Sequence, residues 1–137
     1  MRWTPNRVLA LYLGLGLLFL GLLGLFPAPT LQEGTWTFYK LDLVINLVHV
    51  VTGAIGIIAV FTHWSRLYNR ACGIFYTLIG LLGLVPMLYF NGHRLLGVTH
   101  ENLALNLTHL AMGLAALAFG FFITMYGAWT PSARTAL

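Results

Sequence analysis

Four stretches of the chain carry no charged residue: Val8–Phe26, Leu43–Thr62, Ala71–Phe90 and Leu103–Trp129. Each is close to or beyond the roughly 18–20 residues that cross about 30 Å of hydrocarbon. Strands do not run to such lengths. A bilayer also requires each backbone amide to be paired within its own segment, which a helix achieves. The pattern predicts an all-α, integral membrane four-helix bundle running up-down-up-down. Residues 1–137 form one transmembrane domain with too little chain left over for a soluble one.

Polar positions interrupt these runs in a regular way. "NLVHVVTG" starts at Asn46 and "NLTHLAMG" at Asn106, so Asn-x-x-His-x-x-x-Gly occurs twice. "LGLLGLFP" (Leu20–Pro27) likewise returns as "IGLLGLVP" (Ile79–Pro86), 59 positions on, while Asp42, Asn46, His49 and Gly53 return 60 positions on as Asn102, Asn106, His109 and Gly113. The chain therefore reads as two copies of a two-helix hairpin, residues 7–62 and 66–126. An even number of helices per copy gives both the same orientation, related by an axis along the membrane normal. At 4-3-4-3 spacing, Asp42, Asn46, His49, Gly53 and Gly56 share one helix face, and Asn102, Asn106, His109, Gly113 and Ala116 form its twin. The facing seams are Ala10, Gly14, Leu17, Gly21, Gly24 and Asn69, Gly73, Tyr76, Gly80, Gly83. Small and polar residues in membrane helices turn away from lipid, so the predicted interior holds two Asn/His pairs opposite glycines. At ~1.5 Å rise per residue, each His lies about 10 Å below the outer end of its helix.

Charge sets the orientation. The net charge of +4 would suggest nucleic acid in a soluble protein, but only 7% of residues are charged and 59% are apolar. Arg2, Arg7, Arg66, Arg70 and Arg134 fall on one side of the predicted membrane, and Lys40 and Arg94 on the other with Glu33, Asp42 and Glu101. The positive-inside rule then puts both termini in the cytoplasm. Trp3, Trp64 and Trp129 sit at the cytoplasmic helix ends and Trp36 on the far side, where interfacial anchors belong. The basic side faces lipid head groups, and no nucleic-acid partner is expected. Nineteen apolar residues in the first run exceed the 7–15 or so of a secretory signal, so it reads as a retained span. One cysteine, Cys72, rules out an internal disulfide.

Three chemistries compete for the seams. In the plainest, His49, His109, Asn46 and Asn106 hydrogen-bond across helices while Gly21, Gly24, Gly80 and Gly83 admit close packing. In the second, His49 and His109 are axial ligands of haem b, or each ligates a chlorophyll. Asn46 and Asn106 would then fix the imidazole tautomers, the four glycines would clear space for the macrocycle, and Lys40 or Arg94 would meet haem propionates. Two His with no cysteine pair make a thin set for zinc or copper. In the third, Asp42, Asn46 and His49 step inward as a proton or small-solute pathway. The sequence has no Ser/His/Asp set, carboxylate pair or phosphate loop, so no enzyme is expected. A small structural or accessory membrane protein fits these features, with lipid and another membrane protein or a second copy as partners. The apolar loop residues Leu31, Trp36, Phe38, Leu95 and Leu96 would provide the docking surface.

Taken together, "YKLDLVINLVHVVTGAIGIIA", "LYNRACGIFYTLIGLLGLVP" and "ENLALNLTHLAMG" resemble the small bacterial four-helix proteins catalogued as domain of unknown function 4383. The likeness runs from about Arg7 to Gly120. It rests on Asn46-x-x-His49-x-x-x-Gly53, Asn102-x-x-x-Asn106-x-x-His109 and Tyr68-x-Arg70. Ile45 and Leu105 stand where that pattern often has a His and an acid. The resemblance implies the four-helix fold and carries no activity with it.

Overall fold

The computed structural model describes residues 3–25 and 42–123. Helix α1 covers Pro5–Leu25, α2 Leu43–Phe61, α3 Ser65–Leu82 and α4 Leu103–Leu117, which runs on as a π-helical stretch, Ala118–Ile123. Local signals set several of these ends. Pro5 occupies the first helical turn, where its missing N–H costs nothing. Asp42 caps α2 by accepting from Ile45 N at 3.1 Å, and its twin Asn102 caps α4 by accepting from Leu105 N at 2.9 Å. The four-helix architecture matches the expectation. Leu31, Trp36, Phe38, Lys40, Arg2, Trp129 and Arg134 fall outside the described residues.

The helices pair in chain order, α1 along α2 and α3 along α4, with fewer approaches between the two hairpins. Glycine decides how close each pair comes. A Cβ added at Gly21 would stand 2.6 Å from Asn46 O and 2.7 Å from Val50 N; one at Gly80 would stand 2.8 Å from both Asn106 O and Leu110 N. These are equivalent positions of the two repeats. Gly14 meets the backbone of Gly53, Gly56 and Ile57, just as Gly73 meets that of Gly113 and Leu117. Backbone touches backbone along both hairpins, as small-residue seams allow in membranes.

The molecule is inside-out by soluble standards. Asn6, Asn46, His49, Asn69, Asn106 and His109 are buried, whereas Leu15, Phe19, Leu47, Val51, Ile55, Leu78, Leu107 and Leu114 are exposed. The helices α1 and α2, and the continuous run Leu103–Ile123, are long and apolar enough to cross a membrane. Arg66, Asn69 and Arg70 occupy the first two turns of α3, which does not join that set.

The third charge-free run departs from the expectation of one long helix. Helix α3 stops at Leu82 with Gly83 as its cap. Pro86, with no N–H to continue the ladder, opens a 3-10 turn through Leu88. Three short strands follow, β1 (Tyr89–Phe90), β2 (Arg94–Leu95) and β3 (Thr99–His100), paired antiparallel in that order. The first turn is built on Asn91-Gly92, with positive φ at Asn91, Gly92 and His93. Leu96 and Gly97 turn the second the same way, and Leu95, the strand residue just before that turn, is buried.

The arginines do more than mark one face. Arg7 donates to Thr62 O at 3.1 Å, at the C-terminal end of α2. Arg66 and Arg70 both donate to Gly120 O, at 3.1 and 2.9 Å, in the π-helical stretch. A π-turn frees carbonyls from the helical ladder, and a cation at a helix C-terminus meets the negative end of its dipole.

Candidate functional site

Helices α2 and α4 bring the two predicted histidines together in the core. His49 Nε2 lies 3.4 Å from His109 Nε2, with the rings 82° apart and their centroids 5.7 Å apart. Helix α3 adds Tyr76, whose ring centroid is 5.1 Å from that of His109 and 6.1 Å from that of His49. Both histidines and Tyr76 are almost wholly buried. The Thr52 hydroxyl donates to Val48 O at 2.7 Å and shares a 2.8 Å bond with Tyr76 Oη. A hydroxyl has one proton, so Tyr76 is the donor to Thr52. Two neutral imidazoles meeting Nε2 to Nε2 need opposite roles, one N–H and one lone pair.

One further member was not anticipated. Glu101 precedes the cap of α4 and places Oε2 3.7 Å from His109 Nδ1, with its side chain 0% exposed. In the sequence it reads as an outer-loop acid. Its spacing of four and eight residues before Leu105 and His109 was the available signal, because that spacing keeps it on the inward face.

The asparagines take a different role from the one expected of them. Asn106 Nδ2 donates to Gly83 O at 2.6 Å and to Tyr89 Oη at 3.1 Å, rather than to an imidazole. Tyr89 Oη itself donates to Gly83 O at 2.8 Å. A Cβ at Gly83 would strike the Asn106 amide, and a Cβ at Gly24 would strike the Asn46 amide. Each glycine is thus the seat of an asparagine of its own hairpin. Asn106 thereby ties α4 to the end of α3, and the amides of Asn46 and Asn106 fill the space at Gly24 and Gly83.

The family model described as "Domain of unknown function (DUF4383)" matches residues 7–122. The chain belongs to the DUF4383 family. No curated protein and no solved structure matches it.

The geometry of this DUF4383 chain can be tested against a tetrapyrrole. The cavity touching both imidazoles, walled by Leu17, Leu20, Leu105 and Met112 among others, holds about 40 Å³. That is the scale of one water at about 30 Å³, whereas pockets for larger ligands run to about 300–1,000 Å³. With the rings in contact and Tyr76 beside them, no layer is left for a macrocycle. The residues do not fit haem or chlorophyll at this position. Among the described residues, no three His, Cys, Asp or Glu side chains group as a metal set.

Asp42 works at the N-terminal end of α2. Beyond capping α2 it accepts from Thr99 Oγ1 at 3.1 Å and from His100 N at 2.8 Å, and His100 Nδ1 lies 3.5 Å from its Oδ2. Burial alone would raise the carboxyl; donation from His100 N–H, Ile45 N–H and the Thr99 hydroxyl, with the charge of His100, holds it below its ordinary value instead. Asp42 ties the first hairpin to the strands of the second.

Proposed function

We propose that this DUF4383 chain is a non-enzymatic structural or accessory membrane protein, with four spans and both termini cytoplasmic. It docks on another membrane protein or on a second copy. One observation carries the structural reading: the space a prosthetic group would need is occupied by protein. Asn46 seats at Gly24, Asn106 at Gly83, and the imidazoles touch. The outward faces support docking, since Phe90 and Val98 of the strand cap and the apolar helix faces are exposed.

The decisive measurement is the absorption spectrum of the protein purified from native membranes. A colourless protein is expected, and His49→Gln and His109→Gln should each cost about 1 kcal/mol, as an interhelical hydrogen bond does. A Soret band lost on either substitution would overturn the structural reading in favour of a cofactor subunit. For orientation, reporters fused at Leu137 and in the Gly34–Lys40 loop should read inside and outside respectively; the reverse pattern would invert the bundle.

A further inference from the structure

Arg66 and Arg70, one turn apart near the start of α3, both aim Nε–H at a single carbonyl, Gly120 O, at 3.1 and 2.9 Å. Their guanidiniums therefore lie side by side. The first hairpin is built differently. Arg7, the counterpart of Arg66, donates to Thr62 O at the end of α2, but the counterpart of Arg70 is Leu11. One cation matches one helix end, whose dipole carries about half a negative charge. Arg70 is a second cation on an end that already has one. The fold makes room for it. A Cβ at Gly120 would stand 2.8 Å from Arg70 Cγ and 3.1 Å from Arg70 N, and the Phe121 ring centroid lies 4.5 Å from Arg70 Cζ.

This doubled charge has no carboxylate to balance it among the described residues. Asp42 and Glu101 stand at the starts of α2 and α4, the far end of the bundle from Gly120, and their ion-pair partners are His100 and His109. Each guanidinium commits one N–H to Gly120 O, and its Nη groups bond to no described residue. Arg66 is exposed and Arg70 half-buried, with Trp64, Phe121 and Phe122 exposed around them. Gly120 lies close to the end of the membrane-length run Leu103–Ile123, so the cluster sits at head-group level.

We propose that Arg66 and Arg70 form a binding site for the phosphate of an anionic phospholipid, and that Arg70 is what makes it a site. Paired guanidiniums offer N–H forks to phosphate oxygens together with the charge that balances them. The exposed aromatic side chains beside them meet the glycerol and upper acyl chains, which a soluble phosphate lacks. The site belongs to the second hairpin alone. It rests on the membrane placement proposed above, but on neither the orientation nor the absence of a prosthetic group. A Soret band or inverted reporters would leave it standing.

The test uses the full chain in a neutral maltoside detergent, titrated calorimetrically with dioctanoyl phosphatidylglycerol and with dioctanoyl phosphatidylcholine. The anionic lipid should bind at least about tenfold more tightly, as one charge-assisted hydrogen bond provides. Arg70→Gln should erase that preference. Arg70→Lys, which keeps the charge and loses the fork, should retain part of it, which guards against mere misfolding. Arg7→Gln should leave the preference in place. Equal binding of the two lipids, a preference that survives Arg70→Gln, or equal losses in Arg7→Gln and Arg70→Gln would overturn the proposal, the last by revealing a diffuse basic surface. A final arm adds inorganic phosphate as competitor. Unchanged lipid affinity is expected, and displacement of the lipid would overturn the lipid assignment in favour of a soluble phosphate.

Discussion

His49 and His109 occupy the same position in two copies of one hairpin, yet their surroundings differ. The backbone around them is matched. Gly21 and Gly80 press on equivalent atoms of the facing helix, and Asn46 and Asn106 seat at Gly24 and Gly83. The polar side chains are not matched. His109 has Glu101 beside it, where the first repeat carries Leu41. Tyr76 and Thr52 flank the pair, and their counterparts at the shifts of 59 and 60 are Leu17 and Met112. The glycine and asparagine interlock is thus architecture common to both halves, whereas the polar neighbours differ: Thr52 comes from the first repeat, and Tyr76 and Glu101 come from the second.

The comparison can be broken most forcefully at the glycines. Gly21→Ala and Gly80→Ala each drive a methyl into facing backbone, and overpacking of this kind costs about 1–3 kcal/mol. Equal losses in a thermal or SDS unfolding assay are expected. If one site tolerated the methyl, the two hairpins would not be equivalent. The asymmetry of the pair is read by double-mutant cycles. Glu101→Gln with His109→Gln should show coupling of about 1 kcal/mol, as residues sharing one polar cluster do, and Glu101→Gln with His49→Gln less than half of that. Equal couplings would make the three residues one unit and remove the distinction drawn here.

The smallest single-substitution effect is expected at Asp42. Its carboxyl is held below its ordinary value, so its stabilising contribution is present above the unfolded value of about 3.9 and is lost as pH falls through the folded one. Asp42→Asn keeps a capping oxygen, as Asn102 does in the second repeat, and should cost about 0.5–1 kcal/mol at neutral pH. The variant should also flatten the acid side of the stability profile. An acid limb identical to wild type would remove Asp42 as its source.

Much of this architecture was legible because a bilayer narrows the choices. Charge-free length marked the helices, and 4-3-4-3 spacing placed Asn46, His49, Asn106 and His109 on the buried faces the structure gives them. Where length was the only guide it overran: the run Ala71–Phe90 hid the stop at Gly83 and Pro86, although both residues are helix-ending signals. Glu101 was missed for a different reason. It stands before the cap of α4, where an acid reads as a loop residue unless its spacing to Leu105 and His109 is followed back past the helix start. Arg66 and Arg70 were legible as basic residues on one side, but their shared acceptor, Gly120 O in the π-helical stretch, was not.

The backbone contact inside each hairpin has a mechanical consequence. Each helix pair lies main chain to main chain at Gly14 and Gly21, and at Gly73 and Gly80, with an asparagine amide filling the gap at Gly24 and at Gly83. Across the hairpins the links are mostly side-chain tips, such as His49 to His109 and Asn69 Nδ2 to Asn6 Oδ1 at 2.8 Å. Main-chain contacts yield little, whereas side-chain tips can swing through a rotamer change. The bundle therefore behaves as two stiff plates with one compliant direction, and a change in the lateral pressure of the surrounding lipid would be taken up between the plates.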